Sequence, residues 1–277
     1  MKPTPAFVRG YRLSRAVAHI IEGLATTAFV FPFAGPAARA RMIQRWSRRL
    51  LSILAVELEA VGHHAPFPER VLIIANHISW LDIFVLNAHQ PSRFIAKSEI
   101  RRWPVIGLLV GSVGTLFLDR SRRREVAGIN AEVERALSSG DVIALFPEGT
   151  TTYGRELLPF HGSLIQPVIA ADGHIVPAAI RYTHVDGSHS DAASYVGDQS
   201  LLQSVRALLS ARRTRVRLHL CAPFATSGLH RRQVADQAHR IIRTALQLPE
   251  PVGSEPACSG AVDQPNGAGT AGRSDGT

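Results

Sequence analysis

The segment Val71–Phe84, VLIIANHISWLDIF, sets a histidine, His77, five residues ahead of an aspartate, Asp82. A carboxylate held against an imidazole fixes its tautomer and stabilises the imidazolium that forms when the ring takes a proton. Such a pair can act as general base towards a hydroxyl group. Positions five apart on one continuous helix lie on different faces, so the pair needs a break in the helix. Ser79, three residues before Asp82, has the spacing of a helix N-cap with an acid at N3. With the helix starting there, His77 lies ahead of it and can fold back over the first turn onto Asp82. The competing reading gives Asp82 only a capping role and His77 only a loop position. On this motif alone the two readings stand level.

Further polar groups follow other apolar runs. Asp141–Thr150, DVIALFPEGT, leads from a strand-like stretch directly into Pro147, Glu148, Gly149 and Thr150. In open α/β sheets, ligands gather at the carboxyl ends of strands, and an acid beside a glycine that exposes backbone amides can hold substrate hydroxyls. The competing reading is an ordinary strand-to-helix turn with Glu148 in water. Gly114–Arg120, GTLFLDR, places Arg120 just past another strand, where a guanidinium can clamp a phosphate. Arg122, Arg123 and Arg124 read as a solvated face with some attraction to anionic membrane. A fourth element, Ile175–Ile180 (IVPAAI), is uncharged.

The elements that must carry these residues form an α/β pattern. Residues 56–248 alternate short apolar strands with longer helical periodicities, which predicts a central mixed β-sheet flanked by helices. The expected strands are Val71–Ala75, Arg93–Ala96, Thr115–Phe117, Val142–Phe146, Ile175–Arg181 and Arg215–Cys221. Val126, Ile129, Val133 and Leu137 mark an amphipathic helix closed by Gly140, and another spans Arg231–Leu246. Cys221 sits on a strand with no base in its neighbourhood, which assigns it to packing. Residues 249–277 hold four prolines and six glycines without apolar periodicity and read as a disordered tail.

The 277-residue chain has 31 Lys plus Arg against 22 acids, a surplus of +9. Lys2 and eight arginines among residues 1–50 face the single acid Glu22, so 9 − 1 = +8 of that surplus lies in the N-terminal region. Ala16–Ala34 is an apolar stretch near the minimum length of a spanning helix. His19 and Glu22 interrupt it, and arginines flank both ends, where a spanning helix shows a cationic excess on one side. From Ala40 to Ala55, Met42, Ile43, Trp46, Leu50, Ile53 and Leu54 recur at helical spacing between arginines. Residues 1–55 are therefore expected to form a helical region lying in, or dipping into, one leaflet of an anionic membrane. The competing reading is a core-packing helix with its arginines in water. Cleavage as a signal peptide is disfavoured by Glu22 and by the length of the apolar run. Nucleic-acid binding is disfavoured because aliphatic residues separate the arginines and no recognised motif is present. His63 and His64 lack metal-ligand spacing, no G-x-S-x-G marks a serine hydrolase, and two cysteines build no disulfide framework.

The four segments, in order and spacing, resemble the glycerolipid acyltransferase family typified by bacterial 1-acyl-glycerol-3-phosphate acyltransferases. NHISWLD is similar to its H-x4-D block, GTLFLDR to its arginine block, FPEGT to its glutamate-glycine block and IVPAAI to its proline block. The resemblance spans roughly Val71–Arg181 and implies acyl transfer from an acyl thioester to the free hydroxyl of a lysolipid. It implies His77 as base and Asp82 as its orienter, Arg120 on the acceptor's anionic headgroup, and Glu148, Gly149 and Thr150 positioning the acceptor. Asn76 would hydrogen-bond near the reacting centre. No metal or cofactor is implied; acyl carrier protein or coenzyme A would carry the acyl group as co-substrate. The implied location is the cytoplasmic face of the inner membrane.

One departure bears on the acceptor. Many members follow FPEGT with Arg-Ser, whereas Thr151 and Thr152 stand here, followed by Tyr153, Gly154 and Arg155. Together with LLPFHGSL (Leu157–Leu164) and YVGDQSL (Tyr195–Leu201), this resembles a subgroup that includes lyso-ornithine lipid acyltransferases. A cation is missing at position 151, and Arg155 is the candidate to replace it. The expected acceptors are thus lysophosphatidic acid first and lyso-ornithine lipid second. A thioesterase and a non-catalytic membrane-binding protein are the more distant alternatives.

Overall fold

In the computed structural model, residues 4–102, 106–118 and 123–249 are described. Eight strands form one mixed sheet: β1 (Val56–Gly62), β2 (Val71–Ala75), β3 (Arg93–Lys97), β4 (Leu116–Leu118), β5 (Ile143–Leu145), β6 (His174–Thr183), β7 (Thr214–Leu220) and β8 (Phe224–Ala225). Their order is β1-β7-β6-β2-β5-β3-β4, with β8 on β6. Pairings are parallel except for β6 with β7 and with β8. The mixed sheet flanked by helices agrees with the expected fold class.

The centre is β2, buried at every residue and bordered in parallel by β5 and β6. Successive side chains point to opposite faces, so each strand supplies two cores. Ile73 and Ala75 join Val176, Ala178, Val216 and Leu218 on one face. Leu72 and Ile74 join Ile143, Leu145 and Ile175 on the other. The second face is covered by α5 (Arg123–Ser138), α6 (Gln166–Ala170) and α8 (Arg231–Leu246), through residues such as Val133, Val168 and Ile242. Around the first face lie α1 (Ala6–Phe29), α2 (Pro36–Ile53), α3 (Asp82–His89) and α7 (Leu201–Ser210); the remaining helix, α4 (Ile106–Ser112), packs against α1.

The N-terminal region is a helical hairpin. Pro32 lies in a short 3₁₀ turn between α1 and α2, where Arg39 Nε donates to the carbonyls of Phe31 and Ala34. Among the described residues, no helix is long and apolar enough to cross a membrane. The boundary expected at residue 55 does not separate an appended segment from the domain. Leu50, Leu51, Ile53 and Leu54 are buried in the same core as β2 and β6, because the apolar stripe of α2 packs on α3 and β1. Arg48 serves the same docking, its Nε donating to the Ala88 carbonyl at 2.7 Å. By contrast, α1 and the turn after it leave Phe7, Tyr11, Val17, Ile21, Phe29 and Phe33 exposed.

β2 has its expected bounds and the other expected strands differ at an end by one or two residues, while β1 and β8 are outside the expected set. The expected tail falls outside the described residues from position 250 onward.

Candidate active site

The parallel register of β2 and β5, with Ile74 opposite Leu145, ends both strands side by side. The chain leaves β2 through Asn76–Ser79 and leaves β5 through Phe146–Thr150, so the two polar motifs emerge as neighbours. His77 Nδ1 lies 2.9 Å from Asp82 Oδ2. That oxygen also accepts the backbone N–H groups of Ile78 (2.7 Å) and Ser79 (2.9 Å). The Tyr182 hydroxyl donates to Oδ1 at 2.8 Å. A fully buried carboxylate is thus surrounded by four donors, as burial of such a group requires.

The helix begins later than expected. Regular α3 starts at Asp82 rather than just after Ser79, and the Ser79 hydroxyl accepts only the N–H of Leu81, at 3.2 Å. The Asp82 carboxylate turns back onto the loop amides of Ile78 and Ser79. This keeps the acid-to-cap contact of the expected motif and brings His77 over the first turn.

The second motif locks the first. Glu148 Oε1 accepts the His77 backbone N–H at 2.7 Å, and the Thr152 N–H donates to the His77 carbonyl at 2.9 Å. Glu148 Oε2 accepts the Leu158 N–H at 3.0 Å. Phe146 stacks on the His77 ring, with centroids 4.0 Å apart and planes 10° from parallel. Held on both backbone groups, on Nδ1 and on one ring face, the imidazole keeps 20% of its side-chain surface open. Its Nε2 has no hydrogen-bond partner among the described residues.

Glu148 is therefore not a carboxylate in water. Burial pushes its pKa from 4.5 to about 7, against the two N–H bonds that lower it, while the nearby acids Asp82 and Glu156 add to the rise. A carboxyl with a raised folded pKa favours the folded state most below its unfolded value, and that contribution declines as pH rises from 4.5 towards 7. Glu148→Gln keeps the size but turns an amine towards one of the two N–H donors, at a cost of about 1–3 kcal/mol. Melting curves of this variant are expected to lie below wild type by about 2–8 °C. The gap should be widest near pH 5 and narrow towards pH 8. Coincident curves would contradict this role for Glu148.

The other expected residues separate. Both amide atoms of Asn76 face the Ile180 backbone: Nδ2 donates to its carbonyl at 3.0 Å, and Oδ1 accepts its N–H at 2.7 Å. Asn76 is buried and ties β2 to β6, so substrate contact is not its place in this geometry. Gly149 adopts φ +74°, a left-handed turn open to glycine, and Thr150 next to it is exposed. Arg120 lies outside the described residues. The Thr151 hydroxyl donates to the carbonyl of Tyr195, joining two segments that the sequence set apart. Arg155 is exposed and pairs with Asp191 at 2.6 Å, which also receives His189 Nε2 at 3.1 Å.

Sequence reasoning missed Tyr182 and Phe146, because both have the residue types of core positions. The available signal was alternation along β6, which puts Tyr182 on the face of Ala178 and Ile180. Cys221 is half-buried, and burial raises its thiol to about pKa 11, which fits packing rather than nucleophilic chemistry. Among the described residues, no three His, Cys, Asp or Glu side chains gather as a metal site would need.

An imidazole–carboxylate pair thus stands at adjoining parallel strand ends, latched by a buried glutamate. The chain belongs to the acyltransferase family, whose sequence model, described as Acyltransferase, matches residues 58–181. A 1-acyl-sn-glycerol-3-phosphate acyltransferase of Neisseria meningitidis serogroup B is 36% identical over 213 residues, covering 76% of this chain and 83% of that protein. A lyso-ornithine lipid O-acyltransferase of Pseudomonas aeruginosa is 37% identical over 208 residues, 75% of this chain and 79% of that protein. In fold, the chain is similar to the 1-acyl-sn-glycerophosphate (LPA) acyltransferase from Thermotoga maritima. The TM-score is 0.65 at 16% identity, with 87% of this chain and 94% of that chain covered.

Proposed function

We propose that the protein transfers an acyl chain from an acyl thioester to the free hydroxyl of 1-acyl-sn-glycerol-3-phosphate, giving phosphatidic acid. The observation that carries this reading is His77 Nδ1 on Asp82, with Nε2 unpartnered among the described residues. Nε2 takes the proton of the acceptor hydroxyl as its oxygen attacks the thioester carbonyl. Asp82 stabilises the imidazolium. When the tetrahedral intermediate collapses, the C–S bond breaks, and the imidazolium returns the proton to the departing sulfur. Ester and thiol are the products, and the base is restored. The thioester belongs to acyl carrier protein or coenzyme A, either of which offers the same reacting group. In this reading Glu148 holds the loop of the base, while Gly149 and Thr150 face the acceptor and Arg120 binds its phosphate.

Lyso-ornithine lipid is the second reading. It is favoured by Thr151, which stands where many members carry a cation and instead binds the Tyr195 carbonyl. The pairing of Arg155 with Asp191 also engages the charge that could replace that cation. Vesicles carrying both lysolipids, offered together with labelled acyl thioester, separate the readings. Labelled phosphatidic acid as the main product supports the first, labelled ornithine lipid the second.

We also place the protein on the cytoplasmic face of an inner membrane, held by the exposed face of α1 and the turn after it. Phe33 is 91% exposed, Phe7 78% and Phe29 75%, flanked by the basic N-terminal region. Burying an aromatic or aliphatic side chain contributes about 1.5–3 kcal/mol, and tenfold in affinity corresponds to about 1.4 kcal/mol. Replacing Phe7, Ile21, Phe29 and Phe33 together by serine is expected to weaken binding to anionic vesicles at least about 100-fold, without lowering the melting temperature. Unchanged vesicle sedimentation would contradict this placement. Deleting residues 1–55 would not test it, since α2 belongs to the core.

A further inference from the structure

The carboxylate of Asp82 is loaded unevenly. Three N–H groups converge on Oδ2, whereas Oδ1 has one donor among the described residues, the phenol of Tyr182. The Tyr182 ring is fully buried on the same face of β6 as Ala178 and Ile180. Backbone pairing of β2 with β6 ends at Ala75 and Ala178. Beyond that point Asn76 continues the ladder with its side chain, bonding both backbone groups of Ile180. The next residue on that face is Tyr182, whose carbonyl is held by the Ser190 N–H at 3.1 Å.

We propose that Tyr182, held in place by Asn76, is a positioning residue that fixes the Asp82 carboxylate and lowers the proton affinity of the His77–Asp82 pair. The proposal rests on the reading of His77 as base. A phenol on Oδ1 shares the negative charge that would otherwise concentrate on the carboxylate and hold the imidazolium proton more tightly. Among the described residues, the other titratable group at the pair is Glu148, from the turn after β5. Burial, followed by the Asp82 charge, keeps the phenol itself protonated well above its ordinary range, so it remains a donor wherever the enzyme is assayed.

The test is the pH dependence of acyl transfer by full-length Tyr182→Phe, on vesicles containing 1-acyl-sn-glycerol-3-phosphate or lyso-ornithine lipid, whichever wild type acylates. The acidic limb of kcat is expected to move up by about one pH unit, which lowers kcat about tenfold on that limb. KM for the acceptor should stay within about twofold, because the phenol acts through Asp82 rather than on substrate. In the Asp82→Asn background the same substitution should cost nothing further. An unmoved acidic limb, or an undiminished loss in that background, would overturn the proposal. Should the phenylalanine variant not fold, 3,5-difluorotyrosine at position 182 gives a stronger donor in nearly the same volume. It is expected to move the limb to lower pH, and an unmoved limb would again overturn the role. His77→Ala, assayed alongside, separates the two claims. Activity in that variant would sink the base assignment itself, whereas an inactive His77→Ala with an unmoved Tyr182→Phe limb would sink only the inference about Tyr182.

Discussion

His77→Ala is expected to lower kcat for acyl transfer by about 10³-fold or more, within the range that a positioned general base contributes. The variant should fold and still bind vesicles. The ring is partly open, its removal leaves Asp82 with three other donors, and the exposed face of α1 is untouched. Lost stacking on Phe146 should cost about 1 kcal/mol of stability. Initial rates with saturating acceptor, together with vesicle sedimentation, distinguish a missing base from a damaged fold. Near-normal transfer would remove His77 from the chemistry.

Asp82→Asn should damage both activity and stability. An asparagine offers one acceptor oxygen where the carboxylate offers two, and its amine then meets a donor in a fully buried site. If the amine faces His77, Nδ1 must accept, the ring proton moves to Nε2, and the base cannot take the acceptor's proton. Loss of about 10³–10⁴-fold in kcat is expected, the scale of tautomer errors in histidine–carboxylate pairs. In the Oδ2 place the amine also opposes the N–H groups of Ile78 and Ser79, whereas in the Oδ1 place it deprives the Tyr182 hydroxyl of its acceptor; either way a buried donor is orphaned, at a cost of about 1–3 kcal/mol. The melting temperature should therefore fall with the rate, which sets this variant apart from His77→Ala. A stable variant with unchanged kcat would contradict the orienting role.

What could be read before folding divides along the range of the interactions. β2 and α8 are legible because each carries its own pattern, a five-residue aliphatic run and a long 3.6-residue periodicity. β1 also alternates, with Val56 and Leu58 inward and Glu57 and Glu59 outward, but it follows α2 so closely that the run looks like part of a helix end. Its acids pair with Arg213, Arg215 and Arg217 near or on β7, partners more than 150 residues away. Within the site, His77 and Asp82 are five residues apart, so their contact was open to inference from local geometry alone. The latch by Glu148 and the bond from Tyr182 cross 71 and 100 residues and depend on strand order. Asn76 shows the same limit. Its neighbour in sequence pointed to the reacting centre, while sheet register turned it towards Ile180.

The most direct measurement of the central claim follows the acyl label from a thioester donor, with purified protein and vesicles containing lysophosphatidic acid or lyso-ornithine lipid. The account predicts that label appears as an ester on lysolipid in step with thiol release, and that neither occurs with His77→Ala. Thiol released with the label recovered only as free fatty acid would contradict it and make the site a hydrolase.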